Sequence, residues 1–86
     1  MITYEIARNY KIGEKVRLDL NPFNKEMVSC LNDEILSKNH LISGLKYRIV
    51  NVEDHKVRDP FVVFEIENED NGKSVKLGSH LFSKVK

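Results

Sequence analysis

The chain has 86 residues, 41% hydrophobic, 31% charged and 8% aromatic, with four Gly, two Pro and no Trp. That length predicts one small domain with one modest core, and it excludes a large multidomain enzyme with a deep interdomain cleft. Fourteen Lys and Arg against thirteen Asp and Glu leave a formal net charge of +1, without the positive excess that by itself predicts phosphate-backbone binding.

Cys30 is the single cysteine, so an internal disulfide and a multi-Cys zinc site are both excluded, and a reducing cytoplasm is the expected compartment. Met1–Tyr10 carries Glu5 and Arg8 among its apolar residues and does not read as a signal peptide. No apolar run approaches the roughly 20 residues that cross a bilayer, so no membrane partner is expected. The longest run, Phe61-Val62-Val63-Phe64, is one buried strand's worth.

Met1 to Asn9 alternates loosely, with Ile2, Tyr4 and Ile6 on one side and Thr3 and Glu5 on the other. This predicts a short strand or an ordered arm, and residues 1–10 are set apart as an extension of a domain spanning 11–86. Lys11-Ile12-Gly13-Glu14 reads as a turn. Lys15 to Leu20 then alternates cleanly, with Val16, Leu18 and Leu20 facing one way, as in a half-buried strand. Asn21-Pro22 breaks it, because Pro restricts its predecessor and lacks a ladder donor.

From Asn21 to Gly44 the expectation is a long, partly structured loop. Within it, Glu26 to Leu31 is a candidate strand, and Asn32 or Asp33 is a candidate cap for one helical turn through Glu34, Ile35 and Leu36. Lys46 to Glu53 is the next strand. Its phase slip between Ile49 and Val50 predicts a bulge or a strand covered on both faces.

Asn71-Gly72 is the pair favoured by a two-residue type I′ hairpin turn, whose central residues both need positive φ. Centred there, the hairpin sets Asp70 opposite Lys73, Glu67 opposite Lys76, Ile66 opposite Leu77 and Phe64 opposite Ser79. One face carries Phe64, Ile66, Val75 and Leu77, interrupted only by Asn68. The other carries Glu65, Glu67, Glu69, Ser74 and Lys76, so one face buries and the other stays wet. Ser79 to Phe82 has the length of one 3₁₀ turn, and Ser83 to Lys86 is a last short strand.

This all-β order is a first strand, a long loop, two strands, a tight hairpin, a 3₁₀ turn and a closing strand. Over Lys11 to Lys86 it resembles the Src-homology-3-like (SH3-like) small barrel of about five strands. More narrowly, Lys11–Val16 (KIGEKV), Leu41–Ile49 (LISGLKYRI), Asn71-Gly72 and Ser79–Phe82 resemble the pattern of small phage-encoded proteins of this fold. Many such proteins have no assigned activity, and the motifs are structural, so the resemblance implies a fold rather than a function. The long 21–44 insert and residues 1–10 depart from the pattern. Proline-rich ligands, which a Src-homology-3 domain takes in a groove of aromatics that includes a Trp, are not expected. This chain has no Trp and seven aromatics, of which Tyr47, Phe64 and Phe82 are assigned to the core.

Catalytic chemistry has little to build on. There is no H-E-x-x-H, C-x-x-C, G-x-S-x-G or P-loop, and His40, His55, His80, Cys30, Asp33, Asp54 and Asp59 share no diagnostic spacing. Cys30 is expected as a small packed apolar residue and the histidines as surface or capping residues. A small barrel filled by its own side chains leaves little room for an enclosed pocket. No enzymatic activity, metal or cofactor is expected.

The expected function is a non-enzymatic protein-binding module, a phage accessory protein that binds and modulates a bacterial host protein. Strict alternation puts Phe61 and Val63 outside, while Phe23, Met27 and Leu36 lie in the long loop with no place in the barrel. Either the arm and the long loop cover these residues, or they form a partner-facing patch or a homo-oligomer seam. The expected partner-binding set is Phe23, Met27, Phe61 and Val63, with Glu65 and Glu67 as polar rim. One alternative is nucleic-acid binding through Arg8, Lys11, Lys15 and Arg17, with Tyr4 and Tyr10 stacking bases, although Glu5, Glu14 and Asp19 dilute the charge. Another is an oligomeric sponge that holds a signalling nucleotide between chains.

Overall fold

The computed structural model describes residues 2–85. Alternating burial forms five strands: β1 (Lys15–Leu18), β2 (Lys46–His55), β3 (Phe61–Asn68), β4 (Lys73–Gly78) and β5 (Phe82–Lys84). They make one antiparallel sheet in the order β4-β3-β2-β1-β5, with β4 and β5 as its two unjoined edges. Strand β2 is the longest and serves both halves of the sheet. Its first residues pair with β1, and Arg48 to His55 pair with β3, with the predicted bulge between Ile49 and Asn51.

The core lies on one face of the sheet. Val16, Leu18, Tyr47, Ile49, Val62, Phe64, Ile66 and Phe82 are buried in it, with Leu20, Leu77 and Leu81 closing the ends. Phe64 sits at its centre, its ring 5.5 Å from that of Tyr10 and 5.8 Å from that of Phe82. The predicted 3₁₀ turn spans Ser79–Leu81 and leads directly into β5. Met1 and Lys86, the outer ends of the predicted first and last strands, lie outside the described residues.

The N-terminal segment is not a strand. It forms a one-turn helix, α1 (Tyr4–Ala7), and its buried positions are Ile2 and Ala7, while Ile6 of the predicted alternation faces outward. Ala7 has no exposed surface, and its small side chain lets the turn sit directly on the core. The Ile2 amide donates to the Phe82 carbonyl at 3.2 Å, which anchors the arm beside β5.

The long insert is helical, which overturns the candidate strand at 26–31. Helix α2 (Lys25–Leu31) starts at Asn24, whose side chain accepts from the Met27 amide at 2.8 Å. It runs without a break into a π-type turn, Asn32–Leu36, so neither Asn32 nor Asp33 caps a new turn. Val28, Leu31 and Ile35 recur at helical spacing and pack against the core. The wider turn adds one residue to that spacing, which also brings Leu36 inside. Cys30 lies on the outward side of α2 and is exposed, not packed as expected.

The late hairpin also differs from the prediction. The observed register pairs Asn68 with Lys73, Glu67 with Ser74, Ile66 with Val75, Glu65 with Lys76 and Phe64 with Leu77, a shift of two residues. Only Gly72 of the Asn71-Gly72 pair has positive φ, so the turn is not type I′. The cause is Asn68. Its carbonyl accepts from the Gly72 amide at 2.8 Å, and its side-chain oxygen accepts from the Asp70 amide at 3.0 Å, which holds Glu69–Gly72 as a four-residue loop. Its side-chain amide donates to the carbonyls of Asn39 and His40 at 3.1 and 3.0 Å.

Asn68 is buried, and replacing it with Ala strands these groups away from water. Asn68→Ala is expected to lower stability by about 2 kcal/mol, read as a lower urea midpoint with unchanged slope.

Candidate functional site

Strand β3 outruns β4. Pairing with β4 stops where Val63 meets Gly78, and the chain then turns away, leaving Phe61 and Val62 with β2 on one side and no strand on the other. The segment Ile2–Tyr4 forms the facing wall. Between them lies a groove of about 500 Å³, lined chiefly by Ile2, Tyr4, Phe61, Val63, Gly78 and His80. Phe61 is 47% exposed, and its ring stacks on the His55 imidazole with centroids 4.5 Å apart and planes 10° from parallel.

His80 closes one end of the groove. A Cβ on residue 78 would come within 2.5 Å of its ring, so Gly78 is what lets the imidazole lie over the strand. The same ring meets Phe23 edge-on at 6.0 Å. Phe23 therefore reaches the groove only through His80.

A clasp holds the facing wall in place. The Tyr4 hydroxyl donates to Asp54 Oδ1 at 2.8 Å, and Arg8 Nε lies 3.9 Å from Asp54 Oδ2. The Arg8 guanidinium also sits 5.7 Å from the centre of the Tyr4 ring. The hydrogen bond to the Asp54 carboxylate, with a smaller contribution from desolvation, raises the Tyr4 phenol above its ordinary range. Desolvation, followed by the charge of Glu14, does the same for Tyr10.

The residues expected to bind a partner do not form one patch. Phe61 and Val63 line the groove, and Phe23 adjoins it. Met27 stands on α2, is 37% exposed and does not line the groove. Glu65 and Glu67 lead away from Phe61 along β3 and are not its rim. Glu65 accepts from the Ser74 hydroxyl at 2.7 Å, and Glu67 pairs with Arg48 at 3.1 Å. The insert buries Leu36 and half-buries Phe23 but leaves Phe61 open, so covering by the loop and a free patch each hold for part of the set.

The basic set is divided as well. Arg8 sits against Asp54, Lys11 is in the turn before β1, and only Lys15 and Arg17 share a strand. Neither tyrosine is free to stack a base, because Tyr4 is held by Asp54 and Arg8, and Tyr10 packs edge-on against Phe64. Among the described residues no group of three or more His, Cys, Asp and Glu is placed to hold a metal ion.

Ile2, Tyr4, His55, Gly78 and His80 join the site only through pairing and packing. The sequence signal for His55 was its place across the short 56–60 loop from Phe61, which becomes readable once the β2–β3 register is known. No protein-family model, curated protein or solved structure matches the chain.

With both phenols raised, the folded protein keeps protons that the unfolded chain loses near pH ~10. The stability they contribute is fully present below that unfolded value and is lost as pH rises through the raised folded values. Tyr4→Phe is expected to lower stability at neutral pH and to flatten this alkaline loss, as measured by urea midpoints across the alkaline range.

Proposed function

We propose that this chain is a non-enzymatic protein-binding module and that it docks its partner in the apolar groove beside Phe61. The observation that carries this reading is Phe61 itself. A large aromatic ring, half exposed and stacked flat on His55 at the mouth of an apolar groove, is the kind of anchor that buried interface centres are built on. Val63 and Tyr4 extend the apolar surface on either side, and Phe23 adjoins it through His80.

The finer reading of the fold is an SH3-like small barrel. Its support is the strand order β4-β3-β2-β1-β5, with the long insert between β1 and β2 and the 3₁₀ turn before β5. The motif glycines have matching backbone roles: Gly13 and Gly44 both take positive φ, and the Gly13 amide donates to Ile49. On the resemblance of those motifs, the source is a phage and the partner a protein of the bacterial host cytoplasm.

The test is affinity capture from nuclease-treated bacterial lysate at moderate salt. One stoichiometric protein is expected on the native chain and none on Phe61→Ser, with the variant's unfolding free energy within about 1 kcal/mol of native because the ring is half exposed. An empty native column, or equal capture by Phe61→Ser, overturns the reading.

A further inference from the structure

The β1–β2 register sets like charges against each other. Lys15 lies directly opposite Arg48, and Arg17 directly opposite Lys46. Val16, Leu18, Tyr47 and Ile49 are the buried alternates, so all four cations share the outward face of two neighbouring strands. Like charges directly opposite each other in a sheet are destabilising, and this sheet carries two such pairs side by side. A local rule broken with only partial compensation marks a place where the fold serves something else.

Two of the four cations are partly compensated within the chain. Arg48 pairs with Glu67 at 3.1 Å, and Arg17 donates to the Gly44 carbonyl at 2.6 Å. Lys15 and Lys46 have no carboxylate within 4.0 Å among the described residues. Beside them, Ile42 and Leu45 are 59% and 50% exposed, and these four residues help line a hollow of about 190 Å³. Glu67, Glu69 and Asp70 line it as well.

We propose that this face binds an extended acidic segment of a partner protein, with carboxylates on alternate residues followed by apolar side chains. Alternate residues of an extended chain are roughly 6.5 Å apart, which is also the step from Lys15 to Arg17 and from Lys46 to Arg48. Carboxylates laid along the seam between β1 and β2 therefore meet cations from both strands, and the apolar residues settle on Ile42 and Leu45. A nucleic-acid strand fits less well. Its sugar–phosphate backbone has no use for Ile42 and Leu45, and no exposed Phe, Tyr or Trp lines the hollow to stack a base. The face is separate from the groove, because Phe61 pairs with His55 at the far end of β2 from Lys46.

The test is fluorescence anisotropy with a labelled synthetic peptide that alternates Glu and Thr and ends in two Leu, run in parallel with labelled oligothymidylate. Saturable peptide binding is expected, weakening as salt rises and falling at least about tenfold when Lys15→Gln and Lys46→Gln are combined. Replacing the peptide's two Leu with Ser is expected to weaken binding, and Phe61→Ser in the protein to leave it unchanged. The double variant is expected to unfold at a higher temperature than the native chain, because each substitution removes one partner of a like-charge pair. The proposal is overturned by any of four results: no saturable peptide binding, equal binding by the double variant, binding of oligothymidylate but not of the peptide, or a lower unfolding temperature in the double variant.

Discussion

Asn68 joins the two least regular parts of this molecule. Its side chain spans from the hairpin tip to the end of the helical insert, donating to Asn39 and His40 and accepting from Asp70. Each of these bonds has a modest net value, but a buried amide with its donors unmet is costly, so the arrangement forms as a whole or not at all. With it in place the 69–72 loop has one length, the β3–β4 register follows, and the insert is held against the sheet. No buried side-chain donor or acceptor among the described residues is left without a partner.

That register has a consequence at the opposite end of the hairpin. With the tip closing from Asn68, β4 is used up when Val63 is reached, and Gly78 sends the chain into the 3₁₀ turn. Phe61 is left beyond the last rung, and the groove opens there. A hairpin two residues tighter, with Asp70 opposite Lys73, would have ended β4 opposite Glu65 and left still more of β3 bare beside Phe61. The N-terminal turn supplies the other wall, held from β2 by the single carboxylate of Asp54.

Strand β2 carries both surfaces. Its first half holds Lys46 and Arg48 against β1, its second half holds Asp54 and His55 against β3 and the arm, and the bulge between Ile49 and Asn51 separates them. A bulge re-aims the side chains on either side of it, so one strand contributes to two differently directed faces. The cationic face and the apolar groove thus share a scaffold without sharing residues.

Much of this architecture was legible in the residues. Alternation located β1, β3 and β4 and assigned Val16, Leu18, Phe64, Ile66 and Leu77 to the core, while run length and the order of elements located β2, the 3₁₀ turn and β5. The hairpin shows both the strength and the limit of that signal: a shift of two residues preserves which face each side chain takes and changes every cross-strand partner. The Asn71-Gly72 pair pointed to a turn, but the buried amide that decided its length looked like a mere interruption of the apolar face. In the insert the cap is Asn24 and not the expected Asn32 or Asp33, and a mixed run such as Met27-Val28-Ser29-Cys30 fits strand or helix until there is a core to pack against.

The sequence by itself determined which side of each strand is wet, because burial follows a period of two that needs no knowledge of neighbours. Only the tertiary structure decided which residues meet. Lys15 and Arg17 reach Arg48 and Lys46, Tyr4 reaches Asp54 and His55 reaches Phe61 across chain separations that no local pattern records. Those meetings come from strand register and from the packing of the arm. Both are set by contacts summed over the whole core, and so no short run of residues encodes them.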